Sequence, residues 1–152
     1  MTGPQVGAPA PDFTLETTEG PLRLSDLRGS KVVLIFYQED ATPTCTTQLT
    51  AFIEDRELLE ELGARVVAVS ADDLDAHRRF LERLGQPLLP LASDTSLEVA
   101  RMYGVLDDTG KRSGRAVFVL DEDGGVVDAI SPYNPANLKL YARVFRALGL
   151  AA

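Results

Sequence analysis

The feature that most constrains this chain is an alternation of short apolar runs with longer amphipathic stretches. Lys31 to Tyr37 contains Val32-Val33-Leu34-Ile35-Phe36, the unbroken apolar run expected of a strand buried on both faces. The segment Pro43 to Leu62 spaces Leu49, Phe52, Ile53, Leu59 and Leu62 among charged residues, which predicts an amphipathic helix ending at Gly63. A second strand follows at Arg65 to Ser70, with Val66, Val67 and Val69, then a helix over Asp73 to Leu84 stopped by Gly85. Arg115 to Leu120 and Val126 to Ile130 flank Asp121-Glu122-Asp123-Gly124-Gly125 and predict an antiparallel hairpin. A last helix from about Pro135 to Leu148 would place Leu138, Tyr141, Ala142, Phe145 and Leu148 on one face.

The rest of the chain fits around this frame. Pro4, Pro9 and Pro11 make the first dozen residues an extended lead-in. Phe13 to Leu15 and Leu22 to Leu24 pair as a hairpin about Glu19-Gly20-Pro21, and Ser25 to Gly29 reads as one capped helical turn closed by glycine. Pro87 and Pro90 mark a loop, and Asp94-Thr95-Ser96 caps a short helix through Tyr103. Strand, helix, strand, helix, hairpin and closing helix imply an α/β architecture: a mixed central sheet flanked by helices. That order is the order of a thioredoxin-like fold with an N-terminal β-hairpin extension. At 152 residues, positions 1–152 are expected to form a single domain.

Composition excludes several function classes. A formal net charge of −8 argues against nucleic acid or an anionic membrane as the main partner. No stretch approaches the roughly 18 apolar residues needed to span a bilayer, and Met1 to Gln5 lacks the pattern of a secretory signal. One cysteine cannot form an internal disulfide, which fits a reducing cytoplasm, and it removes zinc clusters built from several thiols. With His77 the only histidine and no telling carboxylate spacing, no metal or other cofactor is expected.

The cysteine stands in Thr42-Pro43-Thr44-Cys45, at a strand-to-helix turn. This is the thioredoxin-type C-x-x-C position with threonine in place of the first cysteine, so dithiol exchange is excluded. In the first helical turn, unpaired N–H groups and the positive end of the macrodipole favour a thiolate, making Cys45 a candidate nucleophile. Pro43 suits the first helical position. Thr42 is then either an N-cap, its hydroxyl reaching an N–H two or three residues on, or a hydrogen-bonding group for a small oxygen-bearing substrate. Glu39 and Asp40 lie just upstream, and their charge opposes a thiolate, so the site wants a fixed cation. His77 is one option, but it lies in a polar stretch, Asp72 to Arg83, and reads as solvated. Arg115, opening the apolar strand Ala116 to Leu120, is better placed. Gln48 by itself reads as an ordinary solvated helix residue, and Tyr37 as core.

Several segments together resemble a peroxiredoxin, of the AhpC/TSA family. They are Val6-Gly7-Ala8-Pro9-Ala10-Pro11-Asp12-Phe13-Thr14-Leu15, Leu24-Ser25-Asp26-Leu27-Arg28-Gly29, Val33 to Tyr37, Thr42-Pro43-Thr44-Cys45-Thr46 and Arg115-Ala116-Val117-Phe118-Val119-Leu120-Asp121. The similarity runs over nearly the whole chain and is greatest to the bacterioferritin-comigratory-protein subfamily. The resemblance implies a thiol-dependent peroxidase acting on hydrogen peroxide and organic hydroperoxides. It makes Cys45 the peroxidatic cysteine, Thr42 the hydroxyl that orients the peroxide, and Arg115 the cation that stabilises thiolate and transition state. Gln48 would steady the arginine, and the N–H groups of Thr44 and Cys45, held in place by Pro43, would donate to the peroxide oxygens.

The sequence departs from the family at two points. Gln38 stands where the motif usually has proline, which is expected to alter the end of the strand. Thr50 and Ala100 occupy the places where a resolving cysteine is common, so a one-cysteine cycle follows. Its sulfenic acid would be reduced by an external thiol: thioredoxin, glutaredoxin or a low-molecular-weight thiol. A monomer or small homodimer suits the length. Two other classes of function remain open at this stage. One is a peroxide sensor or relay that forms mixed disulfides with a partner, and the other a redox-inert interaction module for which Gln38 is the hint.

Overall fold

In a computed structural model, residues 3–40, 42–85 and 89–149 are described. Seven strands, β1 (Thr14–Thr17), β2 (Gly20–Arg23), β3 (Lys31–Phe36), β4 (Ala64–Ser70), β5 (Leu91–Ser93), β6 (Ala116–Leu120) and β7 (Val126–Ile130), form one sheet in the order β2-β1-β5-β4-β3-β6-β7. β3 lies inside it, parallel to β4 and antiparallel to β6, which explains why its sequence is apolar throughout. The helices are α1 (Pro43–Glu54), α2 (Arg56–Glu61), α3 (Leu74–Leu84), α4 (Glu98–Met102) and α5 (Leu138–Ala147), with a 3₁₀ turn at Leu24–Leu27. This is the mixed, helix-flanked sheet with a front hairpin that the sequence predicts.

Alternation along the central strands divides the core in two. Val33, Ile35, Tyr37, Val117 and Val119 meet Cys45, Leu49, Phe52, Phe80, Val144 and Phe145 on one face. Val32, Leu34, Phe36 and Phe118 meet Leu24, Leu27, Val99, Ala100 and Tyr103 on the other. The extended lead-in lies along β7, exchanging Gly7 N–H to Val126 carbonyl at 2.8 Å and Val126 N–H to Ala8 carbonyl at 2.9 Å.

Four details differ from the sequence reading. The helix expected over 43–62 breaks at Asp55 (φ −99°, ψ 16°). There the Tyr141 hydroxyl lies 2.7 Å from the Ala51 carbonyl and 2.6 Å from the Asp55 carboxylate. A side-chain donor at that carbonyl competes with the helical bond, and Asp55 N–H to Ala51 carbonyl is stretched to 3.4 Å. Second, the front hairpin turns on Thr18-Glu19, with Thr17 opposite Gly20, so Pro21 falls inside β2. Proline is tolerated there because β2 is an edge strand. Third, the structure adds β5, to which the sequence assigns no element. Three residues after a proline are too few to show a period, yet β5 joins the hairpin to β4 through Thr17 opposite Ala92. Pro87 lies outside the described residues. Fourth, α5 begins at Leu138; of the face expected there Phe145 and, just past the helix, Leu148 are buried, whereas Leu138 is 77% exposed and Ala142 exposed, and Val144 is buried in addition.

The caps of α3 are those its sequence predicts. Asp73 accepts Ala76 N–H at the start of α3, and Gly85 closes it at φ 97°, where a side chain would be strained. Asp94 is buried, and its carboxylate receives the N–H groups of Val99 (3.2 Å) and Ala100 (2.9 Å). Asp94→Ala would leave two buried donors without partners. It is expected to lower stability by about 2 kcal/mol in urea unfolding.

Candidate active site

Cys45 reaches its place through the β3–α1 connection. The β3 ladder runs one bond past the strand, Tyr37 N–H to Val69 carbonyl at 3.1 Å, and α1 starts at Pro43 with Thr42 as its extended N-cap residue (φ −75°, ψ 149°). Pro43, Thr44 and Cys45 are thus the first three helical residues; Pro43 has no N–H to leave unpaired, and an α-helix leaves those of Thr44 and Cys45 without intrahelical acceptors. Pro43 and Thr44 are exposed, Thr42 is half-buried, and Cys45 is enclosed.

Arg115 arrives from the neighbouring strand by register. Phe36 pairs with Ala116, so the residue before Ala116 lies at the sheet end from which the Cys45 loop springs. Tyr133 N–H fixes the Arg115 carbonyl at 2.8 Å, and the guanidinium Nη2 donates to Cys45 Sγ at 3.5 Å. The chemical consequence is direct. A guanidinium at the sulfur sets a fixed positive charge and further donors beside it.

Two expected partners lie differently. The Thr42 hydroxyl makes no cap bond; it donates to the Glu39 carbonyl at 3.2 Å, leaving its lone pairs able to accept from a bound molecule. The first turn is closed instead by Thr46 N–H to Thr42 carbonyl at 2.8 Å and by the Thr47 hydroxyl to Pro43 carbonyl at 3.0 Å. Gln48 is buried, not solvated, and its Nε2 donates to the Phe36 carbonyl at 3.2 Å. It ties α1 to the end of β3. Gln48 Oε1 and Arg115 Nε, an acceptor and a donor, are both buried without a hydrogen-bond partner.

His77 corrects the sequence reading most clearly. It has no exposed surface and is not solvated. Its Nδ1 lies 2.7 Å from Asp40 Oδ2 and 3.3 Å from the Tyr37 hydroxyl, and its Nε2 lies 3.0 Å from the Ala92 carbonyl. The signal was present. His77 shares a helical stripe with Leu74, Phe80, Leu81 and Leu84, although charged residues surround it in sequence. The upstream carboxylates are matched as well, Asp40 by His77 and Glu39 by Arg112 at 3.3 Å. Gln38, in place of proline, is half-exposed between the last β3 bond and Glu39, and the contact between Cys45 and Arg115 forms all the same.

Residues 6–129 match the AhpC/TSA family. The chain belongs to that family, the peroxiredoxins. It is 38% identical to peroxiredoxin bcp of Coxiella burnetii, over 84% of this chain and 88% of that one. It is 35% identical to Peroxiredoxin 2 of Caldanaerobacter subterraneus over 78% of its own length, and spans 57% of that relative. The fold superposes on the crystal structure of the peroxidoxin BcpB of Mycobacterium tuberculosis with a TM-score of 0.84 and 30% identity, covering 98% of this chain and 99% of that one. The thioredoxin-like fold and the likeness to bacterioferritin-comigratory-type peroxiredoxins both stand.

Within this peroxiredoxin the usual resolving positions carry no sulfur. Thr50 is half-buried on α1, and Ala100 is packed in the core of the opposite face. Arg115→Lys keeps a charge but loses the fork of donors at the sulfur. It is expected to slow loss of the Cys45 thiol to hydrogen peroxide by about tenfold to a hundredfold, with an unchanged far-UV spectrum.

Proposed function

We propose that this chain works as a one-cysteine peroxiredoxin, with Cys45 as its peroxidatic sulfur. Thiol-dependent peroxidase activity comes with the family; the observation that carries the residue assignment is the 3.5 Å contact between the Arg115 guanidinium and Cys45 Sγ at the first turn of α1. The Cys45 thiolate attacks one oxygen of hydrogen peroxide or an organic hydroperoxide, and the O–O bond breaks. The sulfur leaves as a sulfenic acid, and the second oxygen takes a proton and departs as water or alcohol. Arg115 and the N–H groups of Thr44 and Cys45 meet the charge that develops on the oxygens. Thr42 accepts the peroxide proton through its free lone pairs and orients it, while Pro43 shapes the turn and Gln48 holds α1 to β3.

The rest of the cycle needs two external thiols. The first displaces water from the sulfenic acid and forms a mixed disulfide, and the second releases Cys45 as thiolate and leaves as the oxidised thiol. Thioredoxin, glutaredoxin or a low-molecular-weight thiol fits this role. Positions 1–152 act as one domain, as a monomer or small homodimer, and the reducing cytoplasm is the compartment this cycle favours. Among the described residues no helix is long and apolar enough to cross a membrane.

Cys45→Ser should abolish peroxide turnover with every reductant. Retained activity in that variant overturns the mechanism. After one equivalent of peroxide the parent should lose its single free thiol and give a dimedone adduct at Cys45 by mass spectrometry. If mixed disulfides with one partner protein accumulate while common reductants give poor turnover, the relay form of the same chemistry is the working one.

A further inference from the structure

A buried polar network beside the β3–α1 loop takes no part in the steps above. His77 projects from α3 into it, with both ring nitrogens engaged. Nε2 faces the Ala92 carbonyl at 3.0 Å, and a carbonyl oxygen only accepts, so Nε2 carries a proton. Nδ1 lies 2.7 Å from Asp40 Oδ2, while Asp40 Oδ1 already receives the Tyr37 hydroxyl at 2.5 Å. Two bare acceptors do not pack at that distance away from water, so a further proton lies between Nδ1 and Asp40. Tyr37 stays a donor, because burial, followed by the charge of Asp40, raises its pKa well above the ordinary phenol value.

Asp40 is also held by its backbone. Its N–H donates to Asp72 Oδ2 at 2.9 Å, and the same oxygen receives the Ser70 hydroxyl at 2.6 Å. The groups facing the ring are therefore Tyr37 at the end of β3, Asp40 in the loop, Asp72 after β4 and the Ala92 carbonyl of β5. On α3 itself the Asp73 carbonyl accepts His77 N–H at 3.1 Å, and Arg78 pairs with Asp75 on the exposed side. Two residues after Asp40 stands Thr42, whose carbonyl starts the α1 ladder and whose chain leads directly to Cys45.

We propose that His77 is a positioning residue for Cys45: by gripping Asp40 it fixes the loop that presents Thr42 and Cys45 to Arg115, and it balances a carboxylate charge that would otherwise oppose the thiolate. This rests on the reading of Cys45 as the reacting sulfur. The consequence is specific to the Nδ1 side of the ring. A glutamine at position 77 has its amide nitrogen near the place of Nε2 and can keep the bond to Ala92, but it releases Asp40. An asparagine has its amide nitrogen near the place of Nδ1 and can keep the grip.

The test is the pH profile of Cys45 alkylation by iodoacetamide in the parent, His77→Gln and His77→Asn. His77→Gln is expected to react about tenfold more slowly at neutral pH, with its profile displaced to higher pH, and His77→Asn to recover part of that loss. Parent-like alkylation in a folded His77→Gln protein overturns the proposal, as does a His77→Asn variant no faster than His77→Gln. A second measurement needs no variant. The chain has one histidine, so the ring nitrogens of the parent give one pair of ¹⁵N resonances. The Nδ1 resonance should report a hydrogen bond to Asp40, and an Nδ1 free of any hydrogen bond would falsify the grip. Neither readout uses peroxide. A parent that shows both effects but ignores peroxide loses the peroxidase reading and keeps this one.

Discussion

The antiparallel pairing of β3 with β6 is the constraint on which the site depends. Five residue pairs, from Val32 opposite Leu120 to Phe36 opposite Ala116, hold the two strands in one register. A slip of one residue would turn residues such as Val33 and Ile35 away from the face they share with Cys45 and α5, and the packing of that face would be lost. The same register sets Arg115 at the sheet end where the chain leaves β3 for the Cys45 loop. The guanidinium meets the sulfur because this register brings Arg115 beside the start of the Cys45 loop. Catalytic geometry is inherited here from strand pairing.

Charge near the sulfur is arranged in layers. Arg115 touches Sγ, while Glu39 and Asp40, the two carboxylates nearest upstream, are each turned to a partner from another loop or helix, Arg112 and His77. The two pairs differ in weight. Arg112 and Glu39 are about half exposed, at 45% and 54%, so water screens their attraction. His77 and Asp40 are at 0% and 6%, and removing either partner there strands the other in a medium that solvates it poorly. The buried pair therefore governs the shape of the loop, and the exposed pair mainly trims its field.

How far the sequence could be read depended on the range of the interactions involved. Strand-forming runs and helix stops are local, so β3, β4, β6, β7 and α3 lie close to where the spacing of Val32 to Phe36, Val66 to Val69 and Leu74 to Gly85 places them. Cys45 and Arg115 were legible because strand-end and helix-start signals sit beside each of them. The break at Asp55 was not, since it arises from Tyr141, 86 residues away in sequence. β5 is a strand only because β1 and β4 flank it. The polar network was lost for a similar reason. Asp40 and His77 are 37 residues apart, and only the helical stripe beneath a charged segment hints that the histidine faces inward.

Solitude and enclosure of the sulfur act together. Cys45 has no exposed surface, and the chain holds no second thiol, so whatever reduces its sulfenic acid must come to it from outside. Beyond Cys45, α1 is tied down by the Gln48 bond to Phe36 and by Leu49 and Phe52 in the core. Before it, the loop is gripped at Asp40. Between these anchors the first turn is held by two bonds internal to it, Thr46 N–H to Thr42 and the Thr47 hydroxyl to Pro43, with Pro43 and Thr44 exposed. That turn, and not the anchored segments on either side of it, is the part of the site that Pro43 and Thr44 present to solvent.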